Sequence, residues 1–348
     1  MRFGTYHTYQ VPPWTNTDRV YAEELERVRL AEALGFDSVW VPEQHFFDYC
    51  ACPDALDMVA YLLGETSRVR VGAAVVNLSL THPLRSAERA ALLDRLSGGR
   101  VDLCIGRGYQ WPQNVVFGVD ESITKARLDE GLDVVLSAWT GCPFAAGGEH
   151  FEFPEIRTWP EPVRPPGEVL LMSVGGTTPI EESVARGLPL AYASPFAPVE
   201  ATATMFRRYA QLVEESPLDT DLVLDRAMVL LYTLLAPTTD EAHAIARKPY
   251  EWHMARLAAL SGPARPEEWP WLTGDAVPPE IPDAEWERQT ATNLLFDDPD
   301  GFSSKLEILR DAGVRNIVCW MGVGGVAQEH VLRSMRLFAE EVRPRFAG

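Results

Sequence analysis

The 348-residue chain contains no run of about 18 apolar residues, so no membrane-spanning helix is expected. Its start, Met1-Arg2-Phe3-Gly4, runs straight into a strand-like segment and lacks the charged-then-apolar layout of a secretory leader. Cysteine is scarce. Cys50, Cys52, Cys104, Cys142 and Cys319 are too scattered for a disulfide framework, and Cys50-x-Cys52 has no second pair to complete a zinc site. Reduced thiols and a cytoplasmic location are the expectation. Positive charge is also short. With 31 basic against 50 acidic side chains the formal net charge is −19, which argues against the cationic footprint that nucleic acid needs. An anionic ligand would require positive charge assembled locally. H-E-x-x-H, phosphate-loop and G-x-S-x-G motifs are missing, as is any solenoid-type repeat.

What is present is an alternation. Apolar strand-like runs at 3–8, 38–42, 69–76, 101–105, 168–174, 188–193, 226–235 and 316–321 are separated by segments of helical period. Tyr21, Leu25, Val28, Ala31 and Leu34 share one face of the first such segment, which Gly35 ends. Pro83 opens another, where proline suits a first turn. The alternation breaks twice. Residues 140–167 read as an excursion, and the proline-rich stretch 261–283 as a mobile insertion. Eight strand–helix units in one chain of this size predict a (β/α)8 TIM barrel spanning residues 1–348, with an open doubly wound sheet as the alternative.

In a barrel, residues just past a strand's C-terminal end face the catalytic mouth. Strand two ends in Glu43-Gln44-His45-Phe46, a carboxylate, an amide and an imidazole in succession. His45 is either a group that moves protons near neutrality or a loop histidine. Strand four ends in Gly106-Arg107-Gly108-Tyr109. Glycine permits close backbone approach and arginine a forked grip on phosphate, but a plain turn explains the pattern equally. Strand five ends Val174-Gly175-Gly176-Thr177-Thr178-Pro179. Its free amides and hydroxyls suit a phosphate, in concert with Arg107 and Lys125, or else Thr178 simply caps a helix. Gly322-Val323-Gly324-Gly325-Val326-Ala327 matches a dinucleotide fingerprint, yet the 21 residues after it hold no second strand for a ribose-binding acid, so a βα loop is the plainer reading. Trp111, Trp252, Trp269 and Trp271 are candidates to line an apolar cavity.

Taken in order, several segments match a known pattern: Arg2-Phe3-Gly4, Gly35-Phe36-Asp37-Ser38-Val39-Trp40, Glu43-Gln44-His45-Phe46, Thr81-His82-Pro83 and Leu92-Leu93-Asp94-Arg95-Leu96-Ser97-Gly98-Gly99-Arg100. Gly106-Arg107-Gly108, Phe117-Gly118, Ala185-Arg186-Gly187-Leu188-Pro189 and Asn316-Ile317-Val318-Cys319 continue it. The set resembles the bacterial luciferase-like flavin-dependent monooxygenases, particularly the luciferase α subunit, over almost the whole chain. The resemblance implies a barrel that takes reduced FMN (FMNH2) from a separate flavin reductase and uses O2, through a peroxyflavin, on a small organic substrate by hydroxylation or Baeyer–Villiger insertion. It assigns Arg107 to the FMN phosphate and places Lys125 where a second phosphate-binding arginine occurs. Val174, Gly175, Gly176, Thr177 and Thr178 fall at the phosphate loop, and Tyr109 beside the cofactor. A cis peptide is implied at Ala74-Val75.

Gln44 stands where the catalytic luciferase subunit has a histidine. Glutamine hydrogen-bonds but does not titrate. Luminescence from an aldehyde is therefore not expected, and proton transfer falls to His45 or His82, with Glu43 organising the mouth. The 261–283 segment would act as a lid. A homodimer, or a heterodimer with a homologue, is the implied assembly. The alternatives are hydride transfer with the deazaflavin F420, a non-catalytic partner subunit, and a flavin-storage protein.

Overall fold

The structure, a computed structural model, describes residues 1–174, 179–261 and 280–347. Strands β1 (Arg2–Tyr6), β2 (Ser38–Val41), β3 (Arg70–Asn77) and β4 (Val101–Gly106) lead into an antiparallel hairpin, β5 (Phe144–Gly147) and β6 (Glu152–Ile156). Then follow β7 (Leu170–Val174), β8 (Leu190–Tyr192), β9 (Met228–Leu235), β10 (Leu295–Asp297) and β11 (Asn316–Trp320). β1, β2, β3, β4, β7, β8, β9 and β11 pair in parallel, and β11 returns to β1, closing an eight-stranded barrel with helices between its strands. The expected (β/α)8 barrel is the observed fold. All eight strand-like runs are its staves.

Burial on both faces explains why those runs were continuous rather than alternating. β2, β4 and β9 are buried at every position, as strands between a filled barrel and a helical coat must be. The helices begin where the sequence supplies caps. Asn16 accepts from Arg19 N ahead of Thr17–Leu34, Asp54 from Asp57 N ahead of Ala55–Glu65, and Asp298 from Gly301 N ahead of Pro299–Asp311. Gly35, at φ 81°, ends the first helix.

The structure departs from the expectations in four places. The 140–167 excursion contains the β5–β6 hairpin, whose residues are alternately exposed and lie outside the barrel ring. The run 168–174 opens with one helical turn, Pro166–Val169, before β7. β10 is an additional three-residue strand hydrogen-bonded to β9. The last segment of helical period is not one regular helix: it runs Gln328–Leu337 and then widens into a π turn at Phe338–Val342. Most of the proposed lid, with Trp269 and Trp271, lies outside the described residues.

The Gly322–Ala327 fingerprint has a packing explanation. Gly324 sits at φ +69°, and a Cβ there would fall 1.8 Å from the Pro249 carbonyl oxygen. Its N–H is taken by Gln10 Oε1 at 2.6 Å. Glycine here lets the last βα loop press against helix Thr239–Ser261.

Candidate active site

The C-terminal ends of the strands bring together aromatic rings, amides and one arginine. Tyr6, at the end of β1, reaches across to β3 and donates its O–H to the Ala74 carbonyl at 2.7 Å. The Ala74–Val75 peptide is cis, as the resemblance implies. Trp320, ending β11, packs edge-on against Tyr6 at 5.1 Å and next to Tyr232 of β9 at 5.0 Å, with its Nε1–H on Thr8 Oγ1. His253 fills the centre of this cluster. Its ring stacks on Tyr49 at 5.4 Å, and its nitrogens bond Gln10 Nε2 at 2.9 Å and the Tyr232 hydroxyl at 2.7 Å. Complete burial lowers the His253 pKa to about 3, so the ring is neutral. Burial also holds the phenols of Tyr6, Tyr49 and Tyr232 above their ordinary value, so they remain protonated.

A second group of side chains is made of amides. Asn77, ending β3, donates Nδ2–H to the Glu43 carbonyl and to Gln113 Oε1, at 3.3 and 3.2 Å. Gln113 Nε2 faces Gln110 Oε1 at 2.9 Å and Gln44 Oε1 at 3.5 Å. Gln44 Nε2 points to the Tyr109 hydroxyl at 3.4 Å. Gly108, at φ +73°, makes the packing possible, because a Cβ there would meet Asn77 Oδ1 at 3.2 Å. Glu43 and His45 sit together, Oε1 to Nε2 at 3.8 Å, both largely buried. His45 also lies edge-on to Phe117 at 4.9 Å. Phe46 holds a left-handed backbone, φ +75°, and packs on Phe117 at 5.3 Å.

The structure therefore unites Glu43, Gln44, His45 and Tyr109, places Ala74 under the Tyr6 hydroxyl, and sets Val75 against Gly106. Arg107 is partly buried in the turn after β4, and its carbonyl receives the Ser79 hydroxyl. Lys125 does not stand as a spare cation. Its ammonium is held by Asp129 at 2.6 Å and by Glu182 at 2.6 Å. Val174 is buried at the end of β7, while Gly175, Gly176, Thr177 and Thr178 lie outside the described residues. The helix after them, Ile180–Ala185, is capped by Pro179 rather than by a threonine. His82 is exposed, caps helix Pro83–Leu96 through Nδ1 to Leu84 N, and packs on Phe151 of the hairpin side. Trp111 and Trp252 are buried around helix Thr239–Ser261. Trp111 Nε1 donates to Ala259 O, and Trp252 packs edge-on to Trp14.

Gln10, Tyr49, Gln110, Gln113, Tyr232 and His253 were missed by sequence reasoning. One local signal was available: Tyr232 and Thr233 put two hydroxyls in the middle of a fully buried strand, and a buried phenol needs a partner. Among the described residues no group of side chains is arranged to hold a metal ion, and no helix is long and apolar enough to cross a membrane.

Comparison with known proteins bears on this arrangement. The alkanal monooxygenase alpha chain of Photorhabdus luminescens is 30% identical over 191 residues, 55% of this chain and 52% of that one. The match thus spans about half the length of that relative. The oxygenase component of a flavin-dependent trigonelline monooxygenase from Acinetobacter baylyi is 25% identical over 251 residues, 71% of this chain and 69% of the other. Among solved structures, the monooxygenase RslO1 from Streptomyces bottropensis superposes with a TM-score of 0.83 over the whole of both chains at 22% identity. The oxygenating constituent of 3,6-diketocamphane monooxygenase from Pseudomonas putida, a type II Baeyer–Villiger monooxygenase solved with FMN, gives 0.77 at 17% identity, covering 99% and 98%. An F420-dependent secondary alcohol dehydrogenase gives 0.69, also at 17% and covering 98% of each chain. At these identities the superpositions establish the fold. Residues 1–340, from β1 through the last helix, match one family description, and the chain accordingly belongs to the luciferase-like monooxygenase family.

Proposed function

We propose that the chain is the oxygenase component of a two-component system, taking reduced FMN from a separate flavin reductase and using O2 to hydroxylate or Baeyer–Villiger-oxidise a small organic substrate. The observation that supports this most is the family match over residues 1–340 together with Arg107 in its Gly106-Arg107-Gly108 turn at the mouth. The residues suit a flavin. The floor is aromatic and uncharged, the buried amide oxygen Asn77 Oδ1 has no partner among the described residues, and the Arg107 guanidinium is the phosphate ligand on this reading. Bound reduced FMN would supply the electrons and the carbon centre that reacts with O2.

The chain's own tasks are binding, orientation and exclusion of water. Arg107 offers a charge-assisted fork to the phosphate, and the Gly175–Thr178 loop would add amides and hydroxyls. Lys125 is not a phosphate ligand on this reading, since Asp129 and Glu182 already meet its charge. Tyr6, Trp320 and Tyr232 form a rigid apolar wall that keeps water from the ring. The Glu43–His45 pair stands at the rim, where a carboxylate 3.8 Å from an imidazole can accept or return a proton. A homodimer, or a heterodimer with a homologous chain, is the proposed assembly.

The test is flavin binding to the purified chain, followed by FMN fluorescence. Arg107→Ala is expected to weaken it by about 1.5–3 kcal/mol with the fold retained. Unchanged affinity would remove Arg107 from the site. Oxygen uptake with FMNH2 but not with reduced F420 separates the proposed chemistry from hydride transfer.

A further inference from the structure

One hydrogen-bond chain in the floor of the mouth has its direction fixed at a backbone amide. The Gly324 N–H can only donate, so the end of Gln10 that it meets at 2.6 Å is Oε1. The other end, Nε2, then donates to His253 Nδ1 at 2.9 Å. That ring nitrogen accepts and carries no hydrogen. The ring is neutral, so its one hydrogen sits on Nε2, which faces the Tyr232 hydroxyl at 2.7 Å. In that contact His253 donates and the phenol oxygen accepts.

The count at Tyr232 follows. A phenol offers two acceptor positions and one proton. His253 fills one acceptor position, and among the described residues nothing accepts the proton. Tyr232 is 1% exposed, which keeps bulk water from taking it. A buried donor left without an acceptor is costly, and folded chains rarely retain one. Two other phenols of the mouth, Tyr6 and Tyr109, stand close enough to act on Tyr232 electrostatically. Neither has a donor to spare. Tyr6 gives its proton to the Ala74 carbonyl, and Tyr109 has Gln44, Gln110 and Tyr49 on its oxygen. Tyr250 also neighbours Tyr232, but it packs with Trp286 and Phe296 and is acted on by Glu285 of the outer layer. A molecule that settles among Tyr6, Tyr109 and Tyr232 therefore finds one phenol free to donate, and it is on β9. In the ring of staves β9 is four from β3, directly across from Ala74–Val75, and three from β4, whose turn holds Arg107.

We infer that the Tyr232 hydroxyl is the hydrogen-bond donor that the β9 wall keeps for the organic substrate, and that His253 and Gln10 are positioning residues that fix its direction. The substrate class narrows accordingly. It is an uncharged molecule with an oxygen or nitrogen lone pair on an apolar body, since the surroundings of the hydroxyl are rings, Trp320 and Phe196 among them, and an ion there would lose its water without gaining a counter-charge. The inference rests on the flavin reading, which gives the β3–β4 side of the mouth to the cofactor. No bond is made or broken in it, because the phenol keeps its proton.

Two measurements test it. The first is side-chain nitrogen NMR of the histidine-labelled wild-type chain at neutral pH, with His253→Gln assigning the signal. A bare Nδ1 and a protonated Nε2 are expected. Hydrogen on Nδ1 would turn the phenol around and overturn the inference. The second compares binding of cyclohexanone and methylenecyclohexane, one body with and without the acceptor, to the FMN-loaded chain. The wild type should favour the ketone. Tyr232→Phe should cut that preference roughly three- to tenfold while the FMN Kd stays within about twofold. His253→Gln, which can accept from Gln10 and donate to Tyr232, should keep the preference, and His253→Leu should lose part of it. This second pair carries the same test should Tyr232→Phe fail to fold. A wild-type chain indifferent to the ketone, or a preference that Tyr232→Phe leaves intact, would give the proton to an internal water and overturn the inference. A Tyr232→Phe chain that loses FMN affinity by the same factor would place the acceptor on the flavin and overturn the assignment to the substrate. A wild-type chain that binds no FMN yet still favours the ketone through Tyr232 would bring down the flavin reading and leave the donor standing.

Discussion

The two ends of the barrel solve opposite electrostatic problems. At the N-terminal end, Asp102 is 2% exposed and lies among three arginines, Arg70, Arg164 and Arg226. Arg164 also bonds the fully buried Asp94 at 3.0 Å. Burial alone would raise the Asp102 pKa, but Arg226, Arg70 and Arg164 more than offset it and hold the carboxylate ionised. At the C-terminal end the centre holds phenols, amides and the neutral His253, with Arg107 in the turn after β4 and Glu43 beside His45 at the rim. Full charges close the bottom because they can be paired there permanently. The centre of the mouth keeps groups that hydrogen-bond without carrying charge, so a ligand's own charge development there is not answered in advance by the wrong ion. Barrel enzymes generally divide stability and chemistry between these two faces, and here the division is visible in residue type.

The comparison breaks if the bottom proves dispensable. Asp102→Asn leaves three guanidinium groups around a neutral side chain, and a loss of about 3–5 kcal/mol in urea unfolding is expected. FMN affinity of the protein that remains folded should stay within about twofold, because nothing at the mouth touches Asp102. A variant that unfolds normally but no longer binds flavin would show the two ends to be coupled.

The mouth contributes its own pH dependence, with a sign that can be worked out. His253 has a folded pKa of about 3, below the unfolded value of 6.5. Between those values the unfolded chain binds a proton that the folded chain refuses. Stability from this residue is therefore fully present above pH 6.5 and falls as the pH drops toward 3. At pH 5 the loss is about 2 kcal/mol. His253→Gln, which retains hydrogen-bonding capacity toward Gln10 and Tyr232 without titrating, should show that much less destabilisation between pH 7.5 and pH 5. Parallel pH profiles for the two proteins would mean that His253 is solvated.

How far these regions were legible in the sequence follows the same division. The staves were readable because a strand buried on both faces carries a continuous apolar run, as at 39–41 and 103–105. β10 was not, since three residues carry no period. The hairpin was hidden by its glycine and proline content, which looks like loop. At the mouth, Glu43, Gln44 and Tyr109 were found because each follows directly after a stave. Gln10 and His253 touch at 2.9 Å across 243 residues of sequence, and no local pattern encodes such a contact. Lys125 was identified as a cation, but whether a cation is free depends on Asp129 and Glu182, one of which is 57 residues away. The Asp102 cluster draws its arginines from three separate segments and is invisible for the same reason.

The smallest expected effect sharpens the contrast most. Phe46 occupies a left-handed backbone that glycine or asparagine adopts more easily, at an expense of about 1 kcal/mol for a bulky side chain. Its ring is 45% exposed and touches Phe117 and His45 at the rim. Phe46→Asn relieves the backbone and gives up a half-buried ring worth roughly 1 kcal/mol, so unfolding free energy should change by less than about 0.5 kcal/mol. On the proposed reading, so small a net stability assigns the left-handed backbone of Phe46 to a role of its side chain at the rim. Retention of substrate-dependent oxygen uptake is accordingly expected to fall in Phe46→Asn while the unfolding curve stays put. An equal loss of both would place Phe46 with Asp102, among the residues that hold the barrel together.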